Sequence, residues 1–173
     1  MDRVTLLDQL KAFTEEAIKD LILPVRQQKE DKAPPEPRAA QVYRMRLPDG
    51  TAAFKKAPYI IHQIITGSDQ QPGGQRLESK VQVRSIFCVY SENEEEGALM
   101  LLNLMERLRI ELLRKVIIGK QFELDLDTGL EYLLYPDDTA PYFAGEMVSM
   151  WKLPEVRREV LPYGRSENPG SLR

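Results

Sequence analysis

The chain has one cysteine, Cys88, in 173 residues. A lone thiol cannot close an intrachain disulfide, so the expectation is a protein not built for an oxidising compartment. Histidine is equally scarce, with His62 the single one. Any Ser-His-Asp or Cys-His mechanism would have to run through it. It lies between Ile61 and Gln63 in a β-rich run, and nothing in the sequence pairs it with Cys88. A sheet histidine is the preferred reading. One histidine and one cysteine cannot close a zinc site, which needs several such ligands. An excess of positive charge is also missing: 24 Lys and Arg against 27 Asp and Glu give a net charge of −3. That leaves no basic footprint for nucleic acid phosphates, and no direct nucleic-acid recognition is expected. Met1-Asp2-Arg3-Val4-Thr5 lacks a basic segment followed by an apolar run, so no signal peptide is expected. Apolar runs are too short for a membrane span. What remains, 42% apolar and 29% charged residues, reads as one soluble, intracellular globular domain covering 1–173.

Periodicity divides the chain. Val4, Leu7, Leu10, Phe13, Ala17 and Leu21 recur at helical spacing, which predicts a helix over 2–23, capped by Asp2 and stopped by Pro24. Residues 26–40 turn polar and then Pro-rich through Ala33-Pro34-Pro35-Glu36-Pro37. A plain spacer is preferred there over a Pro-rich ligand for a partner domain. Residues 42–156 are expected to form the sheet and a long helix. Strands are predicted over 42–47 and 51–54 around the turn Pro48-Asp49-Gly50, then over 59–66 and 80–90, the last two joined by a long mobile loop, Gly67 to Ser79. On the 80–90 strand, Val81, Val83, Phe87 and Val89 share one face, and Gln82, Arg84 and Cys88 the other. Ser91-Glu92-Asn93-Glu94 reads as a capping box for a helix over 92–115, with acids in its first turn and Arg114 and Lys115 in its last. Short strands follow around 116–126 and 130–135, with a turn at Asp127-Thr128-Gly129, then a final strand over 142–152 and a flexible tail at 162–173. This order predicts an α+β fold: a mostly antiparallel sheet with two principal helices on one face.

No candidate for chemistry outweighs a plainer role, and no catalytic residue, metal or cofactor is expected. Asp125 to Glu131 lacks the register of a calcium loop and reads as a hairpin turn. Glu92 to Glu96 point in different directions around a helix and cannot converge on one ion. Gly67, Gly73 and Gly74 fit neither phosphate-binding pattern. Phe143, Met147 and Trp151 share a strand face, where packing under the helices is preferred to ligand stacking.

The long helix has an apolar excess. Its main stripe is Ala98, Leu101, Met105, Leu108 and Leu112. At 100° per residue, Leu99 and Ile110 fall on the opposite side, with Met100 and Leu113 flanking and Arg107 and Arg114 bordering. A subunit contact is favoured over a sandwiched core helix. Gln71 and Arg76, on the hairpin loop, join these as candidate contact residues.

Five segments then carry a resemblance: Lys56-Ala57-Pro58-Tyr59-Ile60-Ile61; Val89-Tyr90-Ser91-Glu92; Leu101-Leu102-Asn103-Leu104-Met105-Glu106-Arg107-Leu108-Arg109; Pro141-Tyr142-Phe143-Ala144-Gly145; and Trp151-Lys152-Leu153-Pro154. In this order they resemble small tail-assembly proteins of tailed bacteriophages and prophages, most of all tail terminator or tail completion proteins, over about 56–155. The resemblance implies a small α/β subunit without cofactor or catalysis. Such a subunit forms a homo-oligomeric ring, hexameric in the expectation, that caps the tail tube, stops its polymerisation and joins the head. Implied partners are other copies of the chain, the tail-tube protein and head-tail connector proteins. The implied location is the host bacterial cytoplasm during assembly and the virion neck afterwards. Another neck component, or a small-molecule or peptide-binding module, stands as the alternative. The Pro-rich stretch and the hairpin around Pro48-Asp49-Gly50 are additions to the family pattern.

Overall fold

A computed structural model describes residues 2–29, 31–48, 56–73, 75–136 and 140–156. The predicted strand over 51–54 and the tail at 162–173 lie outside the described residues. The elements in chain order are α1 (Arg3–Ile18), β1 (Gln41–Arg44), β2 (Tyr59–Gln70), β3 (Glu78–Tyr90), α2 (Glu94–Lys115), β4 (Ile117–Ile118), β5 (Phe122–Leu124), β6 (Leu130–Leu134) and β7 (Tyr142–Leu153). The strand order is β1-β2-β3-β7-β5-β4, with β6 also paired to β7. All pairings are antiparallel except β1 with β2, which is parallel. The fold is α+β, and both helices lie over one sheet face.

That face is set by alternation. Val42, Ile60, Val81, Val83, Phe87, Val89, Met147 and Trp151 form one buried cluster with Leu6, Leu10 and Ile18 of α1 and Leu101, Leu104, Met105, Leu108 and Leu112 of α2. The intervening residues Tyr59, Ile61, Cys88, Tyr90 and Tyr142 build a smaller cluster on the reverse face. Helix α2 sits close to β7 because two glycines permit it. A Cβ on Gly97 would lie 2.2 Å from the Phe143 ring, and one on Gly145 would lie 2.9 Å from both the Met105 sulfur and the Leu133 carbonyl oxygen.

Several boundaries differ from expectation for local reasons. Helix α1 ends at Ile18, before Pro24, because the chain turns there: the Leu21 N–H donates to the Ile18 carbonyl at 2.9 Å, and Leu23 then pairs with Arg38 in an antiparallel bridge. Its buried face is Leu6, Leu7, Leu10, Thr14 and Ile18. Val4 is exposed, and Phe13, Ala17 and Leu21 lie at the edge of the core. On α2 the cap is Asn93, whose side chain accepts from the Glu96 N–H at 3.1 Å, so the helix begins at Glu94 and no capping box forms. Ser91 instead closes a local turn on Asn93, accepting from its N–H at 3.1 Å. Gly97 takes the core place expected of Ala98, which is exposed.

The loop expected from Gly67 to Ser79 is shorter than predicted, because both of its ends are strand. Gly67 to Gln70 pair with Val81 to Glu78, which leaves only residues 71–77 to make the turn. The spacer at 26–40 is fastened at both ends. The Arg26 guanidinium donates to the Tyr142 hydroxyl at 3.0 Å and lies over the Tyr90 and Tyr142 rings. Arg38 donates to the Lys56, Pro58 and Ala39 carbonyls. Strand β1 pairs in parallel with β2, and the turn and second arm of the hairpin expected around Pro48-Asp49-Gly50 lie outside the described residues.

Candidate subunit-contact surface

The polar groups that could have carried chemistry are engaged elsewhere. His62 is fully buried between α1 and the sheet, with Nε2 at 2.9 Å from the Thr14 hydroxyl and Nδ1 at 2.8 Å from the Ser85 hydroxyl. Burial pushes its pKa down to about 3, so the imidazole stays neutral. Cys88 faces the other side of the sheet, beside Tyr59, and burial pushes its thiol up to about 11. The two are therefore separated by the sheet itself. Asp125 is a buried carboxylate at the start of the turn between β5 and β6. It accepts from Lys80 at 3.0 Å, with the Lys152 ammonium at 3.5 Å and the Asp127 N–H at 3.3 Å. Burial raises its pKa, but the two ammonium groups and the Asp127 N–H outweigh that and leave it below the usual carboxylate value. With two cations already on the carboxylate, this segment is a clamped loop and not the expected hairpin turn: β5 and β6 both pair antiparallel with β7 and run the same way along its edge, with Gly129 at φ +82° between them. Among the described residues, no group of three or more His, Cys, Asp or Glu side chains could hold a metal ion. Nor is any helix there long and apolar enough to cross a membrane.

The aromatic face of β7 packs inward. Trp151 and Met147 are buried, Phe143 packs at the edge of the same cluster, and the Trp151 indole N–H donates to the Ser149 hydroxyl at 2.9 Å. These rings are roofed by the helices and present no stacking surface.

Three exposed large apolar side chains lie on α2. Leu99 is 54% exposed and Ile110 43%, a strip across the helix from the core stripe, with Leu113 at 38% flanking them. Ile117, on β4 just beyond the helix, is also exposed, at 47%. Near the start of α2, Glu96, Leu99, Met100, Leu102, Asn103 and Glu106 line a shallow groove of about 440 Å³.

Not every expected contact residue belongs here. Met100 packs against the core and forms the strip's border. Arg107 donates to both carboxylate oxygens of Asp20 at 3.1 Å, tying α2 to the segment after α1. Arg114 pairs with Glu111 at 2.6 Å along its own helix. The two arginines that seemed free for a partner's acids therefore already have partners in their own chain. Gln71 and Arg76 are exposed at the turn of the β2–β3 hairpin, apart from the α2 strip. The neighbouring strand of that hairpin is tied to the start of α1 by the Arg3–Asp69 ion pair at 2.6 Å.

Two features were not legible beforehand. Tyr132 and Leu133, on β6, are about half exposed. Alternation alone could not show that their strand would be an outer one. The Asp125 clamp needs lysines from two other strands, which no spacing rule connects. Fold and surface together define an α+β protein with exposed apolar side chains on α2 and β6, and others dispersed at Val4, Ile22, Met45, Ile65 and Leu126. No protein-family model matches the chain, and no curated protein does either.

Proposed function

We propose that the chain is a structural subunit of phage tail assembly, a tail terminator that forms a ring on the tail tube, ends its polymerisation and joins tail to head. One observation carries the reading: α2 is apolar on two sides, and the side bearing Leu99, Ile110 and Leu113 is open to solvent. Burying side chains of this size contributes roughly 1.5–3 kcal/mol each, so an uncovered row of them favours a protein contact. The resemblance over about 56–155 supplies the setting, in which the partners are other copies of the chain, the tail-tube protein and connector proteins. Another neck component would present the same kind of surface. The separating experiment is mass measurement by light scattering across concentration, with and without a phage tail-tube protein. A defined oligomer that binds tube ends and stops their growth is expected. A chain that stays monomeric at every concentration and ignores the tube would end this reading.

A further inference from the structure

Among the described residues, the sheet is left open at both sides. Strand β1 covers β2 only along Tyr59 to His62, while β2 continues to Gln70. Residues Ile65 to Gln70 are exposed. At the other side, β6 pairs with β7, and among the described residues no strand pairs with its outer edge.

The backbone groups on these edges can be assigned. The Tyr135 N–H donates to the Ala144 carbonyl at 3.0 Å. The register places Leu133 opposite Glu146 and Glu131 opposite Val148, so Leu133 and Glu131 bond inward to β7. Leu130, Tyr132 and Leu134 then turn their N–H and C=O groups outward, as antiparallel alternation requires. On β3, the Ser91 N–H donates to the Pro141 carbonyl at 3.0 Å. Odd-numbered β3 residues therefore face β7 and even-numbered ones face β2. Gln82, Lys80 and Glu78 bond Thr66, Ser68 and Gln70, and Gly67 and Asp69 present their backbone groups outward.

Neither edge carries the lysine or proline guards against strand addition, and each carries one acid, Glu131 and Asp69. Leu130–Leu134 and Ile65–Gln70 contain no lysine and no proline. The irregularity between Ile64 and Thr66 bends β2, but pairing is regular beyond it. The one charge on that run, Asp69, is held by Arg3.

We propose that copies of this chain join edge to edge, β6 of one copy pairing antiparallel with the outer half of β2 of the next. The polarity fits. Strand β6 runs parallel to β3 and β2 runs antiparallel to it. A second copy set beside the first in the same sheet orientation therefore brings an antiparallel β2 to β6. The half-exposed Tyr132 and Leu133 would be covered by the added strand. Because the two edges lie at opposite sides of one sheet, the contact is head-to-tail, and each copy offers both halves. Two copies share a single short contact, whereas a closed ring has one per subunit, so closure is favoured over the isolated pair. Closure into a ring rests on the proposed function; the edge contact does not. The α2 strip stays free for a different partner.

The test uses the full chain with single cysteines at Ser68 and Leu133, both exposed and both on the sheet face away from the helices. Cys88 is buried, so the unmodified chain is the control. Mixed Ser68→Cys and Leu133→Cys chains, treated with a short bismaleimide, should give heterodimers at least about tenfold over either homodimer. The double variant should give a ladder. Tyr132→Pro removes an outward N–H and no bond to β7, and it should abolish the ladder; Tyr132→Lys, a guard lysine at a position that keeps both cysteines, should do the same if the proline variant fails to fold. Homodimers only, no ladder at any concentration, or cross-links from Leu133→Cys to the tube protein in place of a second copy would each overturn the proposal. So would a ladder lost in Leu99→Glu/Ile110→Glu and kept in Tyr132→Pro, although the ring reading would then survive. A ladder whose rings do not cap the tube would instead remove the functional reading and leave the edge contact standing.

Discussion

His62 shows how one residue can set a property of the whole chain. Its ring is fully buried and neutral, with both nitrogens within hydrogen-bonding distance of a hydroxyl. In the unfolded chain it takes up a proton near pH 6.5, but in the fold only near 3. The unfolded state therefore binds more protons below about 6.5, and stability must fall as pH falls through that window, by up to roughly 1.4 kcal/mol per pH unit. Urea melts at pH 7.5, 6.5 and 5.5 should show this slope, and His62→Gln should flatten it; an unchanged slope in the variant would place the effect elsewhere. Thr14→Val leaves the Nε2 side unsatisfied and should cost about 1–3 kcal/mol in the same melts. Sequence reading placed His62 in a strand correctly. It missed Thr14, because a threonine on a core face breaks an apolar stripe unless its buried partner is known.

At the scale of elements, the joint between α2 and β7 depends on absent side chains. Gly145 lies under Met105 and against the Leu133 backbone, and a methyl group there meets a carbonyl oxygen that cannot rotate away. Gly145→Ala should destabilise the chain by about 1–3 kcal/mol and loosen β6, seen as faster amide exchange at Leu133. Equal stability and exchange would show that the joint has slack. The opposite side of α2 behaves differently. Leu99→Glu/Ile110→Glu should leave the denaturation midpoint within about 0.5 kcal/mol of the parent, since both side chains are exposed. On the proposed function, it should abolish binding to the tube end, read by co-sedimentation with polymerised tail-tube protein. A double variant that fails to fold would make these positions core.

At the scale of the molecule, the elements agree in holding the chain's first segments onto its sheet. Arg26 on the Tyr90–Tyr142 pair, Arg38 on the backbone around Pro58, and Arg107 on Asp20 fasten the α1 segment and the stretch after it. Proline and charge made that stretch look like a free spacer, because composition does not report long-range partners. Amide exchange should accordingly be slow at Leu23 and Arg38, whose N–H groups donate across their bridge, and fast at Gln27 and Lys32. Equal, rapid exchange at all four would mean the bridge is not held.

The sequence by itself determined the α+β class, the strands through β2, β3 and β7, the long helix, and the two-sided apolar character of that helix. Each of these is written in a short-range period, 2 for strands and 3.6 for helices, and needs no knowledge of what lies across the core. Tertiary structure alone decided that α1 stops at Ile18, that the β2–β3 hairpin is long and its turn short, that Arg107 and Arg114 pair within the chain, and that β6 is an outer strand. Those outcomes depend on which backbone and charged groups meet across the sheet. Such meetings join residues far apart in sequence, where local pattern carries no signal.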